Sequence, residues 1–286
     1  MRARGSVDTV DFSRELDAAE RAARLGGAAI LRHYQRGADV RVEIKTDQSP
    51  VTEADLEANA VIVDLLRTTF PDDGILSEEL PDGDERLSKR RVWIIDPLDG
   101  TRDFVARTDQ FCVHVGMAVD GVAVVGAVLQ PVAGRLYSAR AGGGARVDDG
   151  DGRPSTRLRV SPVSEIGEMR VGVSRLNATG RLGACLAATG LDRRAVPMGA
   201  SVKYNAIARG ELDLVINLSP GEMEWDTCAP EVVVREAGGE FTDGDGRVFR
   251  YNQRDTAHRR GSLASNGTSH AALVEQLRPH FGADTV

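Results

Sequence analysis

The stretch Trp93-Ile94-Ile95-Asp96-Pro97-Leu98-Asp99-Gly100-Thr101-Arg102-Asp103-Phe104, WIIDPLDGTRDF, runs an apolar segment into two acids and a turn. Val92 to Ile95 reads as a buried strand. Asp96 stands where that strand is expected to end. Pro97 has no N–H and turns the chain, which exposes the Leu98 carbonyl. Asp99 then returns on the side of Asp96. Two carboxylates and a carbonyl are hard oxygen donors of the kind Mg²⁺ takes. Gly100, Thr101 and Arg102 begin a short helix whose free N–H groups point at an anion. An isolated pair of acids at this spacing reads as a solvated turn; the whole run DPLDGT reads as a place where metal and phosphate meet.

Working outward, the pattern alternates. Phe12, Leu16, Ala19, Ala23, Ile30 and Leu31 recur at helical spacing, so Asp11 to about Tyr34 is a first helix. Val40, Val42 and Ile44 alternate with charges as a short strand, and a second helix runs from about Thr52 to Phe70, stopping before Pro71. Phe111 to Val119 and Val122 to Leu129 form a hairpin about Asp120-Gly121, and Leu136 to Ala139 adds a strand. The Gly- and Asp-rich segment Gly142 to Ser155 marks the expected seam. Beyond it, strands at Arg170 to Val173, Leu212 to Asn217 and Gly261 to Ala264 alternate with helices near Ala178 to Thr189, Ser201 to Arg209, Asp226 to Ala237 and Ser269 to His280. The expectation is an α+β half over 1–145, carrying most of the candidate metal ligands, and an α/β half over 146–286, carrying Asp226 and the residues that choose the substrate.

Composition narrows the function. With 286 residues the chain can bury one large core or two ordinary ones, and an apolar fraction of 41% argues against disorder. A net charge of −7 disfavours a nucleic-acid polymer as partner. No apolar run approaches a membrane span, and no apolar signal region follows the N-terminal charges, so the expectation is a cytoplasmic protein without membrane contact. Cys112, Cys185 and Cys228 fit no zinc spacing and read as buried thiols in a reducing compartment. His114 falls inside an apolar strand and reads as a satisfied core histidine. Asp148-Asp149-Gly150-Asp151-Gly152 and Asp243-Gly244-Asp245-Gly246 lack the twelfth-position acid of a calcium loop and read as turns.

Other acids are needed to complete a site. Ile75-Leu76-Ser77-Glu78-Glu79 repeats the pattern of a short apolar strand followed by carboxylates. Trp225-Asp226-Thr227 opens a helix, where Asp226 alone would be an N-cap. Thr52-Glu53-Ala54-Asp55 fits a capping box, with Asp55 reaching back to the Thr52 amide.

Taken together, Lys45 and Pro50 to Asp55, Ser77-Glu78-Glu79, Trp93 to Thr101, Trp225-Asp226 and Glu236-Ala237-Gly238-Gly239 resemble the inositol monophosphatase-like family. The resemblance implies a layered αβαβα sandwich of the inositol monophosphatase and fructose-1,6-bisphosphatase type, and an Mg²⁺-dependent, lithium-sensitive phosphatase of small phosphorylated molecules. It implies two or three Mg²⁺ ions: Glu78, Asp96 and the Leu98 carbonyl on the first, Asp96, Asp99 and Asp226 on the second, and Glu78 helping a third. Glu78 is chosen over Glu79 on register. Thr101 paired with Asp55 orients and deprotonates water, and the amides of Gly100, Thr101 and Arg102 cradle phosphate.

Within the family, a basic residue, an acid and Phe after DPLDGT, together with Trp225 to Glu231 and Arg250-Tyr251-Asn252, resemble the bacterial 3'(2'),5'-bisphosphate nucleotidases. These release AMP from 3'-phosphoadenosine 5'-phosphate, a step linked to sulfate assimilation. Ser201 and Lys203 of Gly199-Ala200-Ser201-Val202-Lys203 then become substrate-binding candidates, with Arg102 a second donor to the uncleaved phosphate. Three positions depart from that pattern: Asn177 where His is frequent, one serine where two precede the lysine, and Asn217 where Arg occurs. An inositol, fructose-bisphosphate or histidinol-phosphate phosphatase is the alternative, and a non-catalytic phosphate- or metal-binding module a further one. The Thr101/Asp55 pair separates enzyme from module, since a binder needs no water-activating dyad. Oligomeric state stays open, a homodimer being one option.

Overall fold

The computed structural model describes residues 11–35, 42–44, 50–174, 180–199 and 202–282. The elements in order are α1 (Ser13–Gln35), β1 (Val42–Ile44), β2 (Pro50–Thr52), α2 (Glu53–Thr69), β3 (Gly74–Ser77), β4 (Arg91–Asp99), α3 (Thr101–Val105), β5 (Cys112–Val119), β6 (Val122–Gln130), β7 (Arg135–Arg140), β8 (Gly144–Asp148), β9 (Thr156–Arg157), β10 (Val171–Ser174), α4 (Gly180–Thr189), β11 (Ala195–Met198), α5 (Lys203–Ala208), β12 (Leu214–Asn217), α6 (Glu224–Glu236), β13 (Glu240–Thr242), β14 (Ser262–Ser265) and α7 (His270–Leu277).

Two mixed sheets separate three layers of helix. The first sheet follows chain order from β3 to β9, with β3 and β4 parallel and the rest antiparallel; the second has the order β11-β10-β12-β14-β13. Strand periodicity explains the layering. Trp93 and Ile95 of β4 pack with Ile30 of α1 and Ile62 and Leu66 of α2. Val92 and Ile94 face the other way, into a core shared with Ile207 of α5, Val233 of α6 and Ala264 of β14. In the second sheet Val215 joins that middle core, whereas Leu214 and Ile216 face α4 and α7 beside Leu186, Leu273 and Leu277. The order is helix, sheet, helix, sheet, helix, as expected.

Close approach of α6 to the first sheet rests on two glycines. Gly116 and Gly126 stand opposite each other in β5 and β6. A Cβ on Gly126 would lie 2.3 Å from the Ala229 carbonyl oxygen, and one on Gly116 2.7 Å from Cys228 Sγ.

Some expectations shift. The hairpin forms at Asp120 (φ 50) and Gly121 (φ 77), both left-handed as a two-residue turn demands. The boundary expected at 145/146 falls inside β8, which pairs with β7 and is followed by β9 in the same sheet. The Gly142 to Ser155 segment is therefore not the seam; the chain leaves the first sheet after Arg157. β11 and β13, absent from the sequence reading, form the edges of the second sheet. Val40 and Lys45 lie outside the described residues. Both candidate calcium loops are turns: Asp243 Oδ1 accepts from the Asp245 and Arg247 amides, and Asp148 Oδ1 from the Gly150 amide.

Candidate active site

β4 does not stop at Asp96; it continues to Asp99 through a bulge. Asp96 pairs with His114 and Asp99 with Cys112, so Pro97 and Leu98 stand opposite Val113 alone. In a regular strand, side chains three apart point to opposite faces. The extra residue cancels one alternation and returns Asp99 to the side of Asp96. Proline is tolerated there because the bulge needs no ladder donor at that position. Leu98 N donates to Asp96 Oδ1 at 2.9 Å, which ties the turn to its own acid. Gly100 follows at φ 91 as the residue capping α3, a left-handed position that glycine adopts without strain.

Asp226, in the first turn of α6, brings the third carboxylate. Oxygens of Asp96, Asp99 and Asp226 lie within 4.8 Å of one another. Asp226 Oδ2 also accepts the Met223 amide at 2.7 Å, so the capping role and the convergence coexist. Glu78 sits just past β3, where its amide donates to the Ile95 carbonyl at 3.2 Å, next to Asp96. Burial pushes Asp96 well above the ordinary carboxylate range, with Glu78, Asp99 and Asp226 adding like-charge repulsion. Burial raises Asp99 to about 7, Glu78 again contributing, and raises Asp226 well above its usual value, with Asp99 as the next cause. Asp96 is buried and Glu78, Asp99 and Asp226 are half-buried, and this many acids facing one another, with few donors among them, fit a divalent cation by charge and by donor type.

Asp55 is buried beside them. Its Oδ2 accepts from the Thr52 amide at 2.8 Å and the Thr52 hydroxyl at 2.6 Å, completing the expected capping box. Its Oδ1 lies 3.3 Å from Thr101 Oγ1. That hydroxyl also lies 3.2 Å from the Leu98 carbonyl, and donates to one of the two at a time. Burial raises Asp55 to about 6 against the lowering effect of Thr52.

A cleft of about 540 Å³ opens from Asp99 and Asp226 toward Lys203, Arg181, Asn217 and Glu222. Lys203, the first residue of α5, is 7% exposed, and burial lowers its pKa while Glu222 and Asp99 oppose that shift. Glu222 Oε1 accepts from the Tyr204 hydroxyl at 2.6 Å, and its Oε2 is buried without a hydrogen bond. Arg102 is exposed on α3. Ser201, Ala200 and Asn177 lie outside the described residues.

His114 is a correction. It is fully buried, but neither ring nitrogen makes a hydrogen bond of ordinary geometry, although the Trp225 backbone is near and Nε2 lies 3.5 Å from Asp99 Oδ2. Burial pushes its pKa down to about 4, so it backs the acid cluster as a neutral ring. An apolar strand reveals that a histidine is buried but not what its edge meets. Arg181 was likewise not singled out as a lining residue, because nothing in its sequence neighbourhood points to the cleft.

A sequence model described as the inositol monophosphatase family matches residues 11–280. The chain belongs to the inositol monophosphatase family. Among its relatives, the 3'(2'),5'-bisphosphate nucleotidase CysQ of Escherichia coli O157:H7 is 34% identical over 242 residues, covering 84% of this chain and 95% of its own. The histidinol-phosphatase of Mycobacterium tuberculosis H37Rv is 33% identical over 242 residues, covering 84% of this chain and 88% of its own. CysQ from Bacteroides thetaiotaomicron superposes with a TM-score of 0.75 at 29% identity, covering 89% of this chain and 97% of its own. The suhB protein of Bartonella henselae gives a TM-score of 0.78 at 25% identity, covering 93% and 98%. Membership of this family of metal-dependent phosphatases makes the chain a phosphatase, and the cluster of Asp96, Asp99 and Asp226 could hold a metal ion.

Proposed function

We propose that the chain is an Mg²⁺-dependent phosphomonoester hydrolase acting on 3'-phosphoadenosine 5'-phosphate, giving AMP and phosphate. The observation that carries this reading is one cleft lined by two half-buried acids of the cluster, Asp99 and Asp226, and by two cations, Lys203 and Arg181. A substrate with two phosphates can present one to the acids and their metal and the other to the cations. An unpaired phosphate in a partly buried cleft would be costly, and charge-assisted donors remove that cost. The identity to CysQ nucleotidases supports the same substrate. Lithium sensitivity, a role in sulfate assimilation and a cytoplasmic setting belong to this reading.

Glu78, Asp96, the Leu98 carbonyl, Asp99 and Asp226 would hold two ions, and Glu78 would help a third. Bound Mg²⁺ supplies positive charge that polarises phosphoryl oxygens and acidifies water. The chain's own groups do the rest. Thr101 Oγ1 donates to Asp55 Oδ1, which leaves its lone pairs to orient the attacking water. Asp55 takes the proton, and an acid near 6 is well matched to that task at neutral pH. The amides of Gly100, Thr101 and Arg102 meet the phosphate at the start of α3. Lys203, with Ser201 nearby in sequence, meets the rest of the substrate.

A second reading has its own observation. Glu222 puts a carboxylate in the cleft, which suits a substrate bearing hydroxyls or an ammonium group, such as inositol 1-phosphate or histidinol phosphate. Phosphate release from 3'-phosphoadenosine 5'-phosphate, inositol 1-phosphate, fructose 1,6-bisphosphate and histidinol phosphate, each with and without Mg²⁺, separates the readings. Preference for the bisphosphate nucleotide is expected. Good hydrolysis of a monophosphate alongside none of the nucleotide would promote the second reading.

A further inference from the structure

Glu224 stands two residues before Asp226, is 1% exposed and does not face the cleft. An acid in the first turn of a helix is ordinarily stabilised by the free amides around it. This one is turned onto another segment: Oε2 accepts the Asn252 amide at 2.6 Å and Oε1 the Gln253 amide at 2.8 Å. The same segment grips the chain on both sides of Asp226. Glu224 N donates to the Thr256 carbonyl at 2.9 Å, and His258 N to the Glu222 carbonyl at 2.7 Å. Met223 and Ala257 form an antiparallel bridge, and His258 Nε2 lies 2.7 Å from Thr227 Oγ1. Its other edge is held from the first sheet. Arg86, 4% exposed, lies in the connection that follows Glu78. Its Nη1 donates to Asn252 Oδ1 at 2.9 Å and its Nη2 to the Gln253 carbonyl at 3.0 Å, while Asp82 anchors the guanidinium with two bonds of 2.6 Å. Asn252 Nδ2 returns a bond to the Arg86 carbonyl at 2.9 Å. Asn252 adopts φ 61, a left-handed conformation that these contacts hold in place.

We infer that residues 251–258 form a strap fixing the Asp226 end of α6 against the connection that follows Glu78, with Glu224 and Arg86 as positioning residues that act through it. The inference rests on the proposed reading of Asp226 and Glu78 as metal ligands. Glu78 and Asp226 come from different layers, and in the middle of the chain nothing covalent sets their spacing. Two buried charged groups, each spent on the same two residues, do so.

The test is Mg²⁺ binding by isothermal titration to the full chain, with no substrate present. Wild type is compared with Glu224→Gln, Arg86→Ala, the double variant, and Arg170→Ala as a control. Arg170 pairs with buried Asp213 at the opposite end of the second sheet's strands, so its loss destabilises without touching the strap. Each single strap variant should raise the Mg²⁺ Kd about ten-fold, the scale of lost outer-shell support. The double variant should fall well short of the product, because both act through one segment. Arg170→Ala should lower Tm and leave Kd within two-fold. Should a strap variant fail to fold, Asn252→Gly keeps the positive φ, removes the side-chain links to Arg86 and to the Lys89 carbonyl, and should raise Kd in the same direction. Unchanged Kd in folded strap variants, or an equal rise in the control, overturns the strap alone. A wild type that binds no Mg²⁺ overturns the strap and the metal reading together.

Discussion

At the scale of single residues, the burial of Asp55 with two kinds of partner makes its roles separable. Its Oδ2 caps α2 and its Oδ1 meets Thr101. As a cap alone, Asp55→Asn should cost at most about 1 kcal/mol and leave the rate unchanged, since Asn caps well. As the group that takes a proton from water, it should lower kcat about 10²-fold or more. Melting and turnover measured on one sample decide, and a normal kcat removes Asp55 from the chemistry. Asp96→Asn should abolish turnover and weaken Mg²⁺ binding while circular dichroism stays native; near-normal activity at saturating Mg²⁺ would contradict its role as shared ligand. Lys203→Ala should raise KM for 3'-phosphoadenosine 5'-phosphate roughly ten-fold, about 1.4 kcal/mol, and barely change that for 3'-AMP. Equal losses on both would make Lys203 a packing residue. The acids of the cluster were legible because three lie in short, specific motifs. The positioning roles of Glu224 and Arg86 were not, since their shared partners, the amides of residues 252 and 253 for Glu224 and the Asn252 side chain and Gln253 carbonyl for Arg86, are announced by no local pattern.

At the scale of elements, the bulge in β4 and the paired glycines beneath α6 do the positioning. β4, both flanking helices of the first layer and the Asp120-Gly121 hairpin are legible in the sequence, because each has strong periodicity or turn chemistry. The end of β4 is not, because Pro97 signals a stop and only pairing with β5 reveals a bulge. β8 and β9 are hidden, because Arg146 and Arg157 face each other exposed and the surroundings are rich in Gly and Asp, which masks the short alternation of Ala145, Arg146 and Val147. β9, β11 and β13 are too short to carry an alternation of their own. The glycine pair gives a direct test of how α6 carries Asp226. In Gly126→Ala the new methyl meets the backbone of Ala229, which cannot rotate away. Overpacking of this kind costs on the order of 2 kcal/mol, or roughly 3 °C in Tm for a chain of this size. Because the displaced element holds Asp226, the Mg²⁺ concentration for half-maximal activity should rise as well. A lowered Tm with unchanged Mg²⁺ dependence would mean that α6 yields elsewhere and the acid keeps its place.

At the scale of the whole molecule, three apolar cores surround a cluster of acids that oppose the fold unless neutralised, and this fixes the direction of a pH effect. Burial raises Asp96, Asp99 and Asp226 above the unfolded carboxylate value of about 3.9, Asp99 to about 7. The folded chain then binds more protons than the unfolded chain, and stability is lost as pH climbs through the folded values. Burial of Glu224, raised to about 7, acts the same way. His114, His258 and His270, lowered by burial, act in the opposite sense only below about 6.5, where the unfolded imidazole takes up its proton. Asp55, raised to about 6, and Glu231, also raised by burial, add to the acids, whereas Lys203, lowered by burial, opposes them. Between pH 6.5 and 8 the metal-free protein should therefore lose Tm. In the proposed reading Mg²⁺ would bind the ionised carboxylates and displace their protons, so the Tm gained at a fixed Mg²⁺ concentration should be larger at pH 8 than at pH 6.5. Asp226→Asn removes one of the repelling charges; it should raise the metal-free Tm at pH 8 and shrink the Mg²⁺ increment. Differential scanning calorimetry in EDTA and in Mg²⁺ at the two pH values reads all of these. A metal-free Tm that is flat or rises across that window would mean that the acids are already compensated within the chain, and the case for a cation among them would fall.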